Sequence, residues 1–204
     1  MRRHLIFGIP ATFMAFVLLA GCASGTTPSE PGPATASTTP TLPSHGAPNV
    51  VEPLNTTGID NSPCDAVTKE QIESLGVPLK KSSVNPNLVK SKYCHWILVD
   101  GAGTFDGGTV VDNPSGLSSL YATNTEGGLT HFQPTPLIEG YPGLVYAQGG
   151  RVGDGECTLA VGVRNDLTYT VNVGLNNTNP NYKDPCGAAQ KIAGFAIQYL
   201  KGKQ

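Results

Sequence analysis

Alternation between apolar and polar positions is cleanest in two neighbouring runs near the C-terminal end. Cys157, Leu159, Val161 and Val163 alternate with Thr158, Ala160, Gly162 and Arg164. Beyond a turn at Asn165-Asp166, Leu167, Tyr169, Val171, Val173 and Leu175 alternate with Thr168, Thr170, Asn172 and Gly174. A period of two sorts side chains onto opposite faces of a strand, so the pair predicts an antiparallel hairpin with one apolar and one polar face. Tyr93 to Val99 reads as a further strand, with Cys94, Trp96 and Leu98 on the core side and His95 facing solvent or a partner. The run Gly101-Ala102-Gly103-Thr104-Phe105-Asp106-Gly107 superficially resembles a dinucleotide loop. Its glycine spacing is wrong and no helix follows at once, so it predicts a glycine-rich turn, with residues 108–112 as the returning strand. Leu144 to Ala147 reads as a strand, and the segment from His131, punctuated by Pro134, Pro136 and Pro142, predicts edge or irregular pairing.

A different period marks the helices. Ala189, Ile192, Ala193, Ala196, Tyr199 and Leu200 recur at helical spacing, with Asp184 as N-cap, Pro185 in the first turn and Gly202 at the end. The alanines allow close approach to a sheet. Thr68 and Gln71 form a capping box, Val67 and Ile72 a hydrophobic staple, and Gly76 suits a left-handed stop, so a short helix is expected over residues 69–75. A brief helical stretch is expected across Leu117, Leu120 and Tyr121. Together these elements predict an α+β fold: a twisted antiparallel sheet packed by a long C-terminal helix and short helices.

The N-terminal end follows neither period. Arg2-Arg3 precede an apolar run that closes on Leu19-Ala20-Gly21-Cys22, the pattern of a secretory signal peptide ending in a bacterial lipobox. Residues 1–21 are therefore expected to be removed and Cys22 to be lipidated. Gly8 and Pro10 interrupt a run already shorter than the ~20 residues a membrane span needs. Each buried methylene is worth about 0.8 kcal/mol, and two or more acyl chains hold a protein stably at a membrane. The expected location is the extracytoplasmic face of the cell membrane, which disfavours kinases and nucleotide switches. Residues 22–57, rich in Thr and Pro, are too poor in apolar side chains to offset their ordering entropy and are expected to be a disordered tether. Residues 58–204 then form the folded domain.

Charge narrows the partners. The chain carries 13 Lys and Arg against 15 Asp and Glu, a formal net charge of −2. Without a basic cluster it is not expected to bind nucleic acid. Lys80-Lys81 and Lys90/Lys92 read as solvated surface pairs.

Apart from Cys22, four cysteines remain, Cys64, Cys94, Cys157 and Cys186, and an even number in an exported domain suggests two disulfides with three possible connectivities. No Cys-x-x-Cys or paired-histidine spacing suggests zinc. Pairing Cys64 with Cys94 and Cys157 with Cys186 is preferred: neither loop crosses the other, and Cys157 shares the apolar face that the helix beginning near Cys186 covers. Each loop of about 30 residues is worth about 3.5 kcal/mol in the chain-entropy model.

The ordered set of lipobox, Thr/Pro tether, Pro63-Cys64-Asp65, Cys94-His95-Trp96, Gly153-Asp154-Gly155-Glu156-Cys157 and Pro185-Cys186-Gly187-Ala188-Ala189 resembles a family of actinobacterial lipoproteins of unknown function, the LprB/LprC type. The resemblance implies a compact α+β domain at the cell surface, related to the PsbP-like fold. It implies no activity and no catalytic residue.

Candidate chemistry is sparse. No Gly-x-Ser-x-Gly, Ser-x-x-Lys or His-Glu-x-x-His pattern occurs. His95 and His131 read as surface or interface residues. Asp154 and Glu156 flank a glycine turn without the alternate ligands of a calcium loop. Asp106 and Asp112 read likewise, Asp166 as a hairpin-turn residue, and Trp96 as core. Phe132, Tyr141 and Tyr146, in or near the Pro/Gly-rich middle segment, form the candidate binding surface. The expectation is a non-enzymatic binding module with no cofactor and no metal, held at the membrane through Cys22, whose partner is an envelope protein, a cell-wall polymer or a lipid. The alternatives are a carrier of a hydrophobic ligand between sheet and helix and, more distantly, a hydrolase using converging carboxylates.

Overall fold

The hairpin predicted from the alternation lies at the centre of the sheet. A computed structural model describes residues 41–85 and 91–204. The strands are β1 (Leu79–Asn85), β2 (Tyr93–Leu98), β3 (Gly103–Thr109), β4 (His131–Pro134), β5 (Gly143–Ala147), β6 (Glu156–Arg164) and β7 (Leu167–Leu175). They form one sheet in the order β1-β2-β3-β7-β6-β5-β4, with every neighbouring pair antiparallel. The helices are α1 (Thr57–Asp60), α2 (Lys69–Glu73), α3 (Leu117–Thr125) and α4 (Pro185–Lys201), with 3-10 turns at Pro63–Ala66 and Val99–Gly101. The fold is α+β.

One face of the sheet carries the main core. α4 lays Ala189, Ile192, Ala193, Ala196 and Ile197 against it with no exposed surface. Asp184 starts the helix by accepting a hydrogen bond from the Gly187 N–H at 2.9 Å, and Pro185 occupies the first turn, where its missing N–H costs nothing. From β2 the predicted core side chains Cys94, Trp96 and Leu98 are all buried. α2 begins with the expected capping box: Gln71 N–H donates to Thr68 Oγ1, and the Gln71 side chain accepts from Thr68 N–H. Disulfides join Cys64 to Cys94 and Cys157 to Cys186, the pairing the spacing predicts. The first ties the N-terminal 3-10 turn to β2, and the second ties the start of α4 to β6.

Two sequence expectations need correction. Residues 101–107 are not a glycine-rich turn, because β3 begins at Gly103 and inserts between β2 and β7. Its glycines serve close packing: a Cβ on Gly107 would lie 3.0 Å from the Trp96 ring, and one on Gly108 would lie 3.0 Å from the Tyr93 ring. The lysine pair at Lys80-Lys81 is exposed as expected, and it lies on a strand left unassigned in the sequence, β1, whose edge position also exposes Ser82 and Val84 and so blurs the alternation. Finally, residues 44–56, expected to belong to a disordered tether, are instead bound to the domain.

From Ser44 to Thr56 the chain is a strap bound to the domain. Ser44 N–H donates to Ser118 Oγ at 2.9 Å, Val50 N–H to Asn165 Oδ1 at 2.8 Å, and Leu54 N–H to the Val163 carbonyl at 2.9 Å. Val50 and Leu54 are buried in the main core, while Ala47 joins Leu117, Leu144 and Ala160 in a smaller cluster on the opposite face. The strap is sparse in apolar residues, and of its four Ala47, Val50 and Leu54 are buried while Val51 faces solvent. The expected signal peptide, Cys22 and the tether up to residue 40 lie outside the described residues.

Candidate binding face

The second face of the sheet is only partly covered. α3 and Ala47 pack over Leu144 and Ala160, with Leu120, Tyr121, Phe132 and Tyr146 around them, and Thr168 and Thr170 are buried there. The face expected to be the polar one is thus partly closed. What stays open is the rest of the face: the exposed Lys81, Gly174 and Glu156 lie there, and beside them one register row crosses all seven strands, Ser83, His95, Asp106, Asn172, Thr158, Tyr146 and Phe132 in spatial order, each directly opposite the next and none of them fully buried. Side chains opposed in this way sit about 5 Å apart at Cβ on one face.

Two hydrogen bonds fix the middle of the row. His95 Nδ1 donates to Asp106 Oδ1 at 2.7 Å, since an ionised carboxylate only accepts, and Thr158 Oγ1 donates to Asn172 Oδ1 at 3.0 Å. These bonds leave His95 Nε2, the second Asp106 oxygen and the Asn172 amide N–H groups without a partner inside the row. The His95 and Asp106 side chains are 27% and 29% exposed, and Asn172 is exposed.

Aromatic side chains bound the row. Phe132 and Tyr146 are cross-strand partners, and the Tyr121 ring meets Phe132 edge-on with centroids 4.9 Å apart. Tyr93, whose ring lies against Gly108, has its hydroxyl pushed above the usual tyrosine range, first by burial and then by the neighbouring Tyr146 hydroxyl. Burial alone raises Tyr146 and Tyr121.

Of the candidate surface residues, the structure brings Phe132 and Tyr146 together and separates Tyr141 from them. Tyr141 is 5% exposed in the main core, and its hydroxyl donates to the Glu52 carbonyl at 2.8 Å, clasping the strap. Its place is structural. The alternation already set Asn172, Thr158 and His95 on polar faces. Which strands would bring them into one row was not visible, because the insertion of β3 between β2 and β7 leaves no local signal.

The remaining singled-out residues lie elsewhere. Asp154 sits in a left-handed turn and pairs with Lys183 at 2.8 Å, which holds its carboxyl below the usual range. With Asp100, Glu156, Asn176 and Tyr182 it lines an open polar cleft of about 610 Å³ at the end of the sheet. Among the described residues no group of three or more His, Cys, Asp or Glu side chains is placed to hold a metal ion. Asp166 takes both guanidinium contacts of Arg164 beside the hairpin turn. His131 starts the edge strand β4, with Nε2 buried and unpartnered. A second groove of about 480 Å³ follows the outer side of α4 past Leu137, Gly194 and Phe195. No described helix is long and apolar enough to cross a membrane.

An α+β domain with a half-open sheet face defines an architecture and not a chemistry, and the comparisons agree. The chain belongs to a family described as a protein of unknown function, DUF3558, whose model matches residues 17–199. No curated protein and no solved structure matches it.

Proposed function

We propose that this chain is a lipoprotein of the actinobacterial type, anchored through Cys22 at the extracytoplasmic face of the cell membrane, and that its domain is a non-enzymatic binding module. The observation that carries the binding role is the open row on the sheet's second face. Side chains with unused donors and acceptors, set on rigid strands and bounded by aromatic rings, make a recognition surface. The lipobox ending at Cys22 supports the anchor.

Two other readings are weaker. A carrier would need space between the sheet and α4, where Ala189, Ala193 and Ala196 are packed with no exposed surface. A hydrolase would draw on the cleft shared by Asp100, Asp154 and Glu156. A proton donor there needs a raised pKa, and Asp154 is shifted the other way by Lys183.

The binding role is tested by placing a benzophenone amino acid at position 172 of the full chain in its own cells. Irradiation should yield an adduct that the same probe at the exposed Lys203, far along the chain in the α4 tail, does not give. Failure to trap anything at position 172 removes the reading. The anchor is tested by alkyne-palmitate labelling, which Cys22→Ala should abolish.

A further inference from the structure

Building on that binding role, we infer that the ligand of the open face is an uncharged polysaccharide lying across the strands, with its sugar rings set along the row from Tyr146 to His95. Charge is the first argument. His95 and Asp106 are bonded to each other at 2.7 Å, and the row's other members are Ser, Asn, Thr, Tyr and Phe, with no Lys or Arg among them. The row itself thus offers no free Lys or Arg cation to a phosphate, a nucleic acid or an acidic glycan, and a neutral ligand suits it better.

Spacing is the second argument. Strands are about 4.8 Å apart, close to the length of one pyranose ring in an extended chain. Each strand crossed therefore presents one side chain per sugar. Chemistry is the third. Vicinal hydroxyls both donate and accept, and the row keeps both kinds of group free: Asn172 N–H donors, an Asp106 oxygen and His95 Nε2. Tyr146 and Phe132 supply an apolar end against which the C–H face of a sugar can pack. A protein partner would call for a dry apolar centre, and here Asn172 and Thr158 occupy the middle. α3 stands along one side as a wall, with Tyr121 at its inner edge.

The test is native affinity electrophoresis of the full chain in a mild non-ionic detergent, through gels holding a neutral glucan, mannan, galactan or arabinan, with polygalacturonate as the charged comparison. At least one neutral polymer should retard the chain. Asn172→Ala and His95→Ala, both at surface positions, should each weaken that retardation by about tenfold, the worth of one hydrogen bond. Retardation by polygalacturonate alone, or equal retardation of the wild type and both variants, overturns the inference. So does migration unaffected by any polymer. If the position-172 crosslink then traps a protein, the binding face stands and only the polysaccharide falls. If it traps nothing, both fall.

Discussion

Gly107 and Tyr169 compete for one space: a Cβ built on Gly107 lies 2.7 Å from the Tyr169 hydroxyl. The hydroxyl is fully buried and has no hydrogen-bond partner. Gly107→Ala should therefore destabilise the domain by about 1–3 kcal/mol through overpacking. In a Tyr169→Phe background the nearest clashing atom is gone and the cost should shrink, leaving the Trp96 contact. A double-mutant cycle by urea unfolding measures this, and equal costs in the two backgrounds would refute the shared-space account.

Tyr169 also predicts an alkaline response. Burial drives its pKa well above the ordinary tyrosine value. Below about pH 10 both the folded and unfolded states keep the proton, so the group adds no pH dependence. Above it the unfolded state releases the proton while the folded state holds it, and stability falls as pH rises. Tyr169→Phe should leave stability at pH 7 unchanged or improved and flatten the decline above pH 10. Tyr93, Tyr121, Tyr141 and Tyr146, also raised, should supply the slope that remains. An unchanged decline in the variant would show that Tyr169 is not its source.

The strap makes a sharper prediction about boundaries. Leu54 is 3% exposed in the main core, so Leu54→Ala should cost about 2–4 kcal/mol. Beginning the chain at residue 58 should cost at least as much, because Val50 and Leu54 are both lost. Denaturant midpoints of chains beginning at residues 41 and 58 decide the matter, and identical midpoints would mean the strap is merely laid on the surface.

The bridge between Cys157 and Cys186 fastens α4 to β6 across 29 residues. Replacing both cysteines with alanine should lower stability by about 3.5 kcal/mol in the chain-entropy model. Thermal unfolding reads the loss, and non-reducing peptide mapping of the wild type should recover Cys64 with Cys94 and Cys157 with Cys186.

Legibility in the sequence followed locality. β6, β7 and α4 announce themselves because each buries a continuous stripe, and their caps and turn lie in the same stretch of chain. β1 was missed because an edge strand need bury little, and β3 was misread because Gly103, Gly107 and Gly108 are there for their neighbours' rings and backbone. The strap looked like linker for a related reason: Ala47, Val50 and Leu54 are too few and too widely spaced to show a period, and only the finished sheet gives them a groove. The binding row is the extreme case. Phe132 and Tyr146 could be singled out by type, but Asp106 and Asn172 become neighbours only when β3 pairs with β7.

The order of the bridges has a consequence for how the protein matures. Cys64 pairs with Cys94 and Cys157 with Cys186, so along the chain the first domain cysteine joins the second and the third joins the fourth. If the chain is exported N-terminus first with Cys22 taken up by lipid, as proposed, Cys64 is the first free thiol to arrive and meets its mate Cys94 as the second, and the same holds for the later pair. An oxidase that couples thiols in order of appearance yields the native pairing directly, with no wrong bridge to be reshuffled.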